Sequence, residues 1–149
     1  MSLADALVID IHAHAVIEET FGAAGDFGPE LFTDTDGAPV FRIGDYRLRN
    51  VRYRGSAFMD VDLRLERMTQ AGIDWQLLSP NPLTYFHYIP APEAIAFCWV
   101  HNDALAGAVA RCPDRLGAAA ALPMQDIAAA IAELPCGSRP GHAGRLHRP

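Results

Sequence analysis

The sequence predicts an α/β protein in which strand, loop and helix follow one another three times. Three observations carry this. Residues 6–12, Ala6-Leu7-Val8-Ile9-Asp10-Ile11-His12, are a nearly continuous apolar run, the pattern of a parallel strand covered on both faces. Two further short strand-like runs, at 73–79 and 116–122, each precede a helical stretch. Gly72, Pro80 and Pro113 close elements where such units end. Strands separated by helices imply right-handed crossovers and a parallel sheet. An open doubly wound sheet and part of a (β/α)8 barrel both satisfy the pattern, and both gather chemistry at the C-terminal ends of the strands.

The elements follow in order. Residues 6–12 form the first strand. Residues 15–57 have little regular period and are punctuated by Gly22, Gly25, Gly28, Gly37, Gly44 and Gly55. A connection that long suggests a functional loop, and within it residues 39–43 and 46–51 read as a hairpin around Gly44-Asp45. Residues 60–71 read as a helix with Asp60 as N-cap, Leu63, Leu65 and Met68 as apolar positions, and Gly72 just past its end. Residues 73–79 form the second strand. The loop 81–91 carries Tyr85, Phe86, His87 and Tyr88. A longer helix over 92–111 stops at Cys112-Pro113. A third strand over 116–122 and a third helix over 125–134 complete the pattern.

Half of the 149 residues are hydrophobic, enough for a sizeable core in one domain. A net charge of −6 argues against nucleic acid as a partner, which would call for a basic patch. Cys98, Cys112 and Cys136 form no C-x-x-C pair, so reduced thiols in a cytoplasmic protein are expected. No basic-then-apolar leader and no membrane-spanning apolar run is expected from the sequence. No phosphate-cradling glycine motif follows any strand, which counts against nucleotide binding.

His12-Ala13-His14 is the motif with the most chemistry. On a strand, residues two apart face the same side, so both imidazoles can supply half of a metal site. Spacing alone is weak evidence, since solvated histidines in a loop would look the same. Asp10, two residues earlier and by the same alternation expected on the same face, is placed either to hold a metal ligand from behind by a hydrogen bond or to bond neighbouring backbone. Phe86, His87 and Tyr88 follow the second strand at the same end of the sheet. They could wall a pocket for a flat conjugated substrate, with His87 as a candidate catalytic group, or serve packing and subunit contact. His101, inside the second helix, reads as structural. Asn102 and Asp103 are expected to bond nearby backbone or loops.

Asp10-Ile11-His12-Ala13-His14 resembles the first-strand D-x-H-x-H of the amidohydrolase superfamily. Further segments, in order, are similar to its aminocarboxymuconate semialdehyde decarboxylase branch. They are Arg64-Leu65-Glu66-Arg67-Met68-Thr69-Gln70-Ala71-Gly72-Ile73-Asp74, Gln76-Leu77-Leu78-Ser79-Pro80, Asn102-Asp103-Ala104-Leu105-Ala106, Pro113-Asp114-Arg115-Leu116-Gly117 and Ala121-Leu122-Pro123-Met124-Gln125. The resemblance implies the N-terminal part of a metal-dependent (β/α)8 barrel, about three βα units of a domain roughly twice this length. It implies His12 and His14 as ligands of a divalent metal, Zn²⁺ with Mn²⁺ as the alternative. It also implies Arg52 as the group holding a substrate carboxylate, which its planar fork suits. Arg47, Arg49 and Arg54 beside it offer the plainer reading of a solvated basic surface.

The implied activity is non-oxidative decarboxylation of a small unsaturated or aromatic carboxylic acid. Metal-dependent hydrolysis of an amide, ester or lactone is the alternative. A possible homodimer belongs to the same resemblance. The remaining family ligands have no counterpart here. Residues 1–134 read as a partial barrel domain and 135–149 as an irregular Gly/Pro/Arg/His tail, expected from a frameshifted or truncated reading frame. His142 and His147 in that tail are not expected to build a site. Two histidines cannot close a tetrahedral metal centre. The chain as it stands is therefore expected to bind zinc weakly and to show no decarboxylase activity, and a truncated non-catalytic remnant is the remaining alternative.

Overall fold

The computed structural model describes residues 6–137. Cys136 has no described side chain, and His142, His147 and the rest of the predicted tail beyond Gly137 lie outside the described residues. In chain order the elements are β1 (Ile9–Ala15), β2 (Glu30–Thr33), β3 (Pro39–Ile43), β4 (Tyr46–Arg49), α1 (Val61–Ala71), β5 (Trp75–Pro80), α2 (Ala91–Ala110), β6 (Leu116–Ala118) and α3 (Ile127–Gly137). Short 3-10 turns stand at Glu18–Thr20, Gly25–Phe27 and Pro82–Thr84.

The expected parallel sheet is present, in the order β1-β5-β6, with each step crossing through a helix. Its helix-covered face buries Ala13, Ala15, Leu78 and Leu116 against Met68 of α1 and Leu105 of α2. α1 is set by its ends. The Asp60 carboxylate accepts from the N–H groups of Asp62 (2.9 Å) and Leu63 (3.0 Å). Gly72 closes the helix at φ 69°, a left-handed conformation that costs glycine nothing.

The other face of the sheet departs from expectation. β1 was predicted to be covered on both sides, yet Ile9 is 54% exposed and Ile11 74%. Among the described residues, helices pack on one face only. The open face carries His14, Ser79, Leu77, Trp75 and Gly117, as the pairings Ile9–Trp75, His14–Ser79 and Leu77–Gly117 require. Trp75 lies across Gly117, where an added Cβ would stand 2.2 Å from the indole Cζ2. Gly117→Val is therefore expected to displace the indole and destabilise the fold by about 1–3 kcal/mol. Thermal unfolding together with the Trp75 fluorescence maximum checks this.

Boundaries differ for local reasons. β1 begins later than expected and runs to Ala15, so both histidines lie within the strand. β6 is only three residues long. It stops short of the predicted 122, and Ala121 is taken by a side chain of α2: Asn102 donates to its carbonyl (2.9 Å) and accepts from its N–H (2.8 Å). This is the role expected of Asn102. α3 starts after Asp126, whose carboxylate accepts from the Ala129 N–H at 2.9 Å, and continues through Pro135 to Gly137. The helix thus runs three residues past the predicted end at 134.

The long first connection is a second, antiparallel sheet, β2-β3-β4. The expected hairpin pairs Ile43 with Tyr46 around Gly44-Asp45. β2 was not foreseen, and Arg42 of β3 bonds Glu30 at its start. This layer shares a core with Phe86, Ile89 and Phe97 through Phe41 and Ile43. No helix among the described residues is long and apolar enough to cross a membrane. Cys98 and Cys112 are free thiols, and burial beside Glu133 pushes Cys98 up to about 12.

Candidate metal centre

His12 and His14 meet as period-two alternation predicts. Their Nε2 atoms are 3.1 Å apart, with the rings nearly perpendicular at 83°. The ring nitrogen Nδ1 of His14 lies 3.0 Å from the carbonyl oxygen of Pro80. A carbonyl only accepts, so this nitrogen carries the proton and the lone pair is on Nε2. Ser79 Oγ, 2.9 Å from the same Nδ1, is turned away to donate to the Ala13 carbonyl at 3.2 Å. The tautomer of His14 is therefore the one that leaves Nε2 free as a ligand. His12 Nε2–H can donate to that lone pair in the metal-free pair. Two metal–nitrogen bonds of about 2.0–2.1 Å reach a common point from atoms this close, so the pair fits a divalent metal.

Among the described residues, no group of three or more His, Cys, Asp or Glu is placed to hold a metal ion. The pair supplies two ligands on the open face of the sheet. A concavity of about 680 Å³ lies on the opposite, helix-covered side, lined by Glu18, Arg54, Arg64, Leu105 and Arg111 among others, and contains neither histidine.

Asp10 does not touch either imidazole. A β-bulge between Asp10 and Ala13 adds one residue to β1 against β5. It aligns Asp10 with Gln76 rather than with the histidine face, which corrects the expectation of a shared face. Of the two roles open to Asp10, the structure shows the backbone one. Its carboxylate accepts from the His12 N–H (2.9 Å) and from the Gln76 amide (2.7 Å), and these bonds hold its pKa below the usual carboxylate value.

The other candidates separate. Arg52 is exposed and forms no ion pair among the described residues, whereas Arg42, Arg49 and Arg54 are bonded to Glu30, to Asp34 and Asp36, and to Glu18. The next residue, Tyr53, accepts a hydrogen bond from Asn81 at 3.1 Å, which ties this stretch to the end of β5, beside the carbonyl that holds His14. Phe86 is 1% exposed and packs edge-on against Phe97 with centroids 4.8 Å apart, so it is core rather than pocket wall. Its φ of 51° turns the chain so that the ring points inward. His87 is exposed, with Tyr85 as its ring neighbour at 6.0 Å, and the structure does not bring it to the histidine pair. Tyr88 is 69% exposed, and partial burial raises its phenol pKa.

Sequence reasoning missed Arg64, Gln76, Ser79 and Pro80, although two of them had signals. Arg64 occupies an apolar position in the series Val61, Leu65, Met68, and Gln76 interrupts a buried strand run.

No family model matches the chain. It is 38% identical over 120 residues to a gamma-resorcylate decarboxylase from Rhizobium radiobacter, a match covering 79% of this chain and 35% of that protein. Among solved structures, a 2,6-dihydroxybenzoate decarboxylase from Rhizobium superposes with a TM-score of 0.59 at 30% identity, covering 86% of this chain and 33% of that one. The chain is similar to these decarboxylases over that stretch. A dihydroxybenzoic acid decarboxylase from Polaromonas sp. JS666, with bound manganese and the inhibitor 2-nitroresorcinol, also matches, at 27% identity and TM-score 0.59 over 86% of this chain and 33% of that one. The chain spans about a third of the length of the curated relatives it matches. The expected likeness to decarboxylases and the partial-barrel fold hold over that stretch.

Proposed function

We propose that this chain supplies the first metal-binding strand of a metal-dependent carboxy-lyase that removes CO₂ from a small aromatic or unsaturated carboxylic acid. The observation that carries the proposal is the convergence of the His12 and His14 Nε2 atoms, with His14 locked in the ligating tautomer, in a chain 38% identical to a decarboxylase. Both residues would hold a divalent metal, Zn²⁺ or Mn²⁺, and the manganese of the Polaromonas relative supports a divalent ion. When bound, the metal supplies Lewis-acid polarisation of a substrate oxygen or an activated water. Asp10 holds the His12 backbone. Arg52, with no acidic partner among the described residues, binds the substrate carboxylate. Phe86, buried, and His87, remote from the pair, have no part in this reading.

The test is a decarboxylation assay with 2,6-dihydroxybenzoate, the acid named for the Rhizobium relative, on the metal-loaded longer protein that completes the ligand set this strand begins. CO₂ and 1,3-dihydroxybenzene are the expected products, lost in His12→Ala and His14→Ala. Arg52→Ala is expected to raise KM by about 10–100-fold with a smaller change in kcat, the signature of a lost charge-assisted carboxylate contact. Hydrolysis of esters or lactones without CO₂ release would overturn the lyase reading. An unchanged KM in Arg52→Ala would remove Arg52 from it.

A further inference from the structure

A closed hydrogen-bond circuit grips the histidine strand from behind. Asp10 Oδ1 accepts from the His12 N–H at 2.9 Å, and Asp10 Oδ2 accepts from Gln76 Nε2 at 2.7 Å. Gln76 Oε1 accepts from Arg64 Nη1 at 2.7 Å, and Arg64 Nη2 donates to the His14 carbonyl at 2.8 Å. The circuit starts and ends on backbone atoms of the two histidines and spans β1, β5 and α1. It sits at the β-bulge, where the regular pairing of β1 with β5 lapses and the strand would otherwise be free to shift. Arg64 and Gln76 are only 8% and 7% exposed.

A buried guanidinium is costly unless its donors are satisfied. Arg64 is also the wrong residue for its helix position if packing were its only task. Burial lowers its pKa, and the Asp10 charge opposes that shift. The arrangement puts a rigid, planar donor where it reaches a side chain and a backbone carbonyl at once, a geometry that lysine's single ammonium does not reproduce.

We propose that Arg64, Gln76 and Asp10 are positioning residues that fix the separation and orientation of the His12 and His14 rings for metal. This rests on the assignment of the pair as metal ligands. None of the three touches the metal position, and they act through the strand backbone.

The experiment measures Zn²⁺ and Mn²⁺ affinity of the purified protein by competition with a chromophoric chelator. The variants are Arg64→Met, Arg64→Lys, Gln76→Leu, Met68→Ala, His12→Ala and His14→Ala, with thermal unfolding followed in parallel. Gln76→Leu keeps both end bonds and breaks only the middle of the circuit, so it covers the case in which Arg64→Met does not fold. Met68→Ala opens the same apolar layer without touching the circuit. Arg64→Met and Gln76→Leu are expected to lose about 10–100-fold in metal affinity, the range for partners that orient ligands, while Arg64→Lys recovers only part. Met68→Ala is expected to lose stability but stay within about twofold of wild type in affinity. If Arg64→Met and Gln76→Leu unfold earlier yet bind metal as wild type does, or if Met68→Ala weakens metal equally, the circuit is merely structural and the proposal falls. If His12→Ala and His14→Ala leave affinity intact, the ligand assignment itself fails, an outcome separate from the first.

Discussion

Replacing His14 with alanine is expected to lower divalent-metal affinity by more than about 100-fold, beyond the roughly 10–100-fold that partners behind a ligand cost. The imidazole is held at Nδ1 by the Pro80 carbonyl, and its free Nε2 faces His12 Nε2 at 3.1 Å. No other described side chain is placed to replace it. The fold itself loses little. One hydrogen bond to a carbonyl goes, a cost of about 1 kcal/mol, and the strand pairing of Ala13 and Ala15 with β5 is untouched. Isothermal titration with Zn²⁺ and Mn²⁺, alongside thermal unfolding, checks both halves. An equal loss in affinity and in fold stability would mean that the residue is structural.

The second large effect lies inside α2. His101 is 2% exposed in α2, tilted against Phe97 at 5.6 Å, and among the described residues neither ring nitrogen has a hydrogen-bond partner. Its neighbour Asn102 is occupied by Ala121 and Glu133. Burial pushes the His101 pKa from 6.5 down to about 4, and Asn102 offsets only part of this. Between those values the unfolded chain binds the proton and the folded chain does not. Stability from this group is therefore present above pH 6.5, and it is lost as pH falls through 6.5 toward 4. The shift corresponds to about 3 kcal/mol. His101→Phe keeps a ring in place and removes the unpaired nitrogens. It is expected to be neutral or stabilising at pH 7 and to flatten this part of the pH–stability curve. Urea unfolding of both proteins between pH 4 and 7 is the check. Parallel curves would show that another group carries the acid sensitivity.

Much of the fold was legible because it depends on local chemistry. Asp60 and Gly72 bracket α1 through a capping carboxylate and a left-handed residue, both readable from residue type. The histidine pair was legible because alternation on a strand is geometric. The β-bulge was not, since it arises from pairing with β5, and it moved Asp10 off the expected face. Residue type held Phe86 open between pocket wall and packing, and packing follows from a positive φ that turns it away from the exposed His87 and Tyr88 beside it. β2 escaped because four residues carry too little pattern and its partner lies in β3. Arg64 and Gln76 stood in plain view as polar residues in apolar positions. Their meaning needed the tertiary contact of a helix with two strands.

The central claim is that His12 and His14 together bind a divalent metal. The most direct measurement is the ¹⁵N NMR spectrum of the histidine side chains during titration with Zn²⁺. The account predicts that His12 and His14 Nε2 resonances shift together, while His87 and His101 stay in place. It also predicts that His14 Nδ1 is protonated before any metal is added. Shifts at His87 or at the tail histidines with the pair unmoved, or a His14 protonated at Nε2 in the metal-free protein, would contradict it.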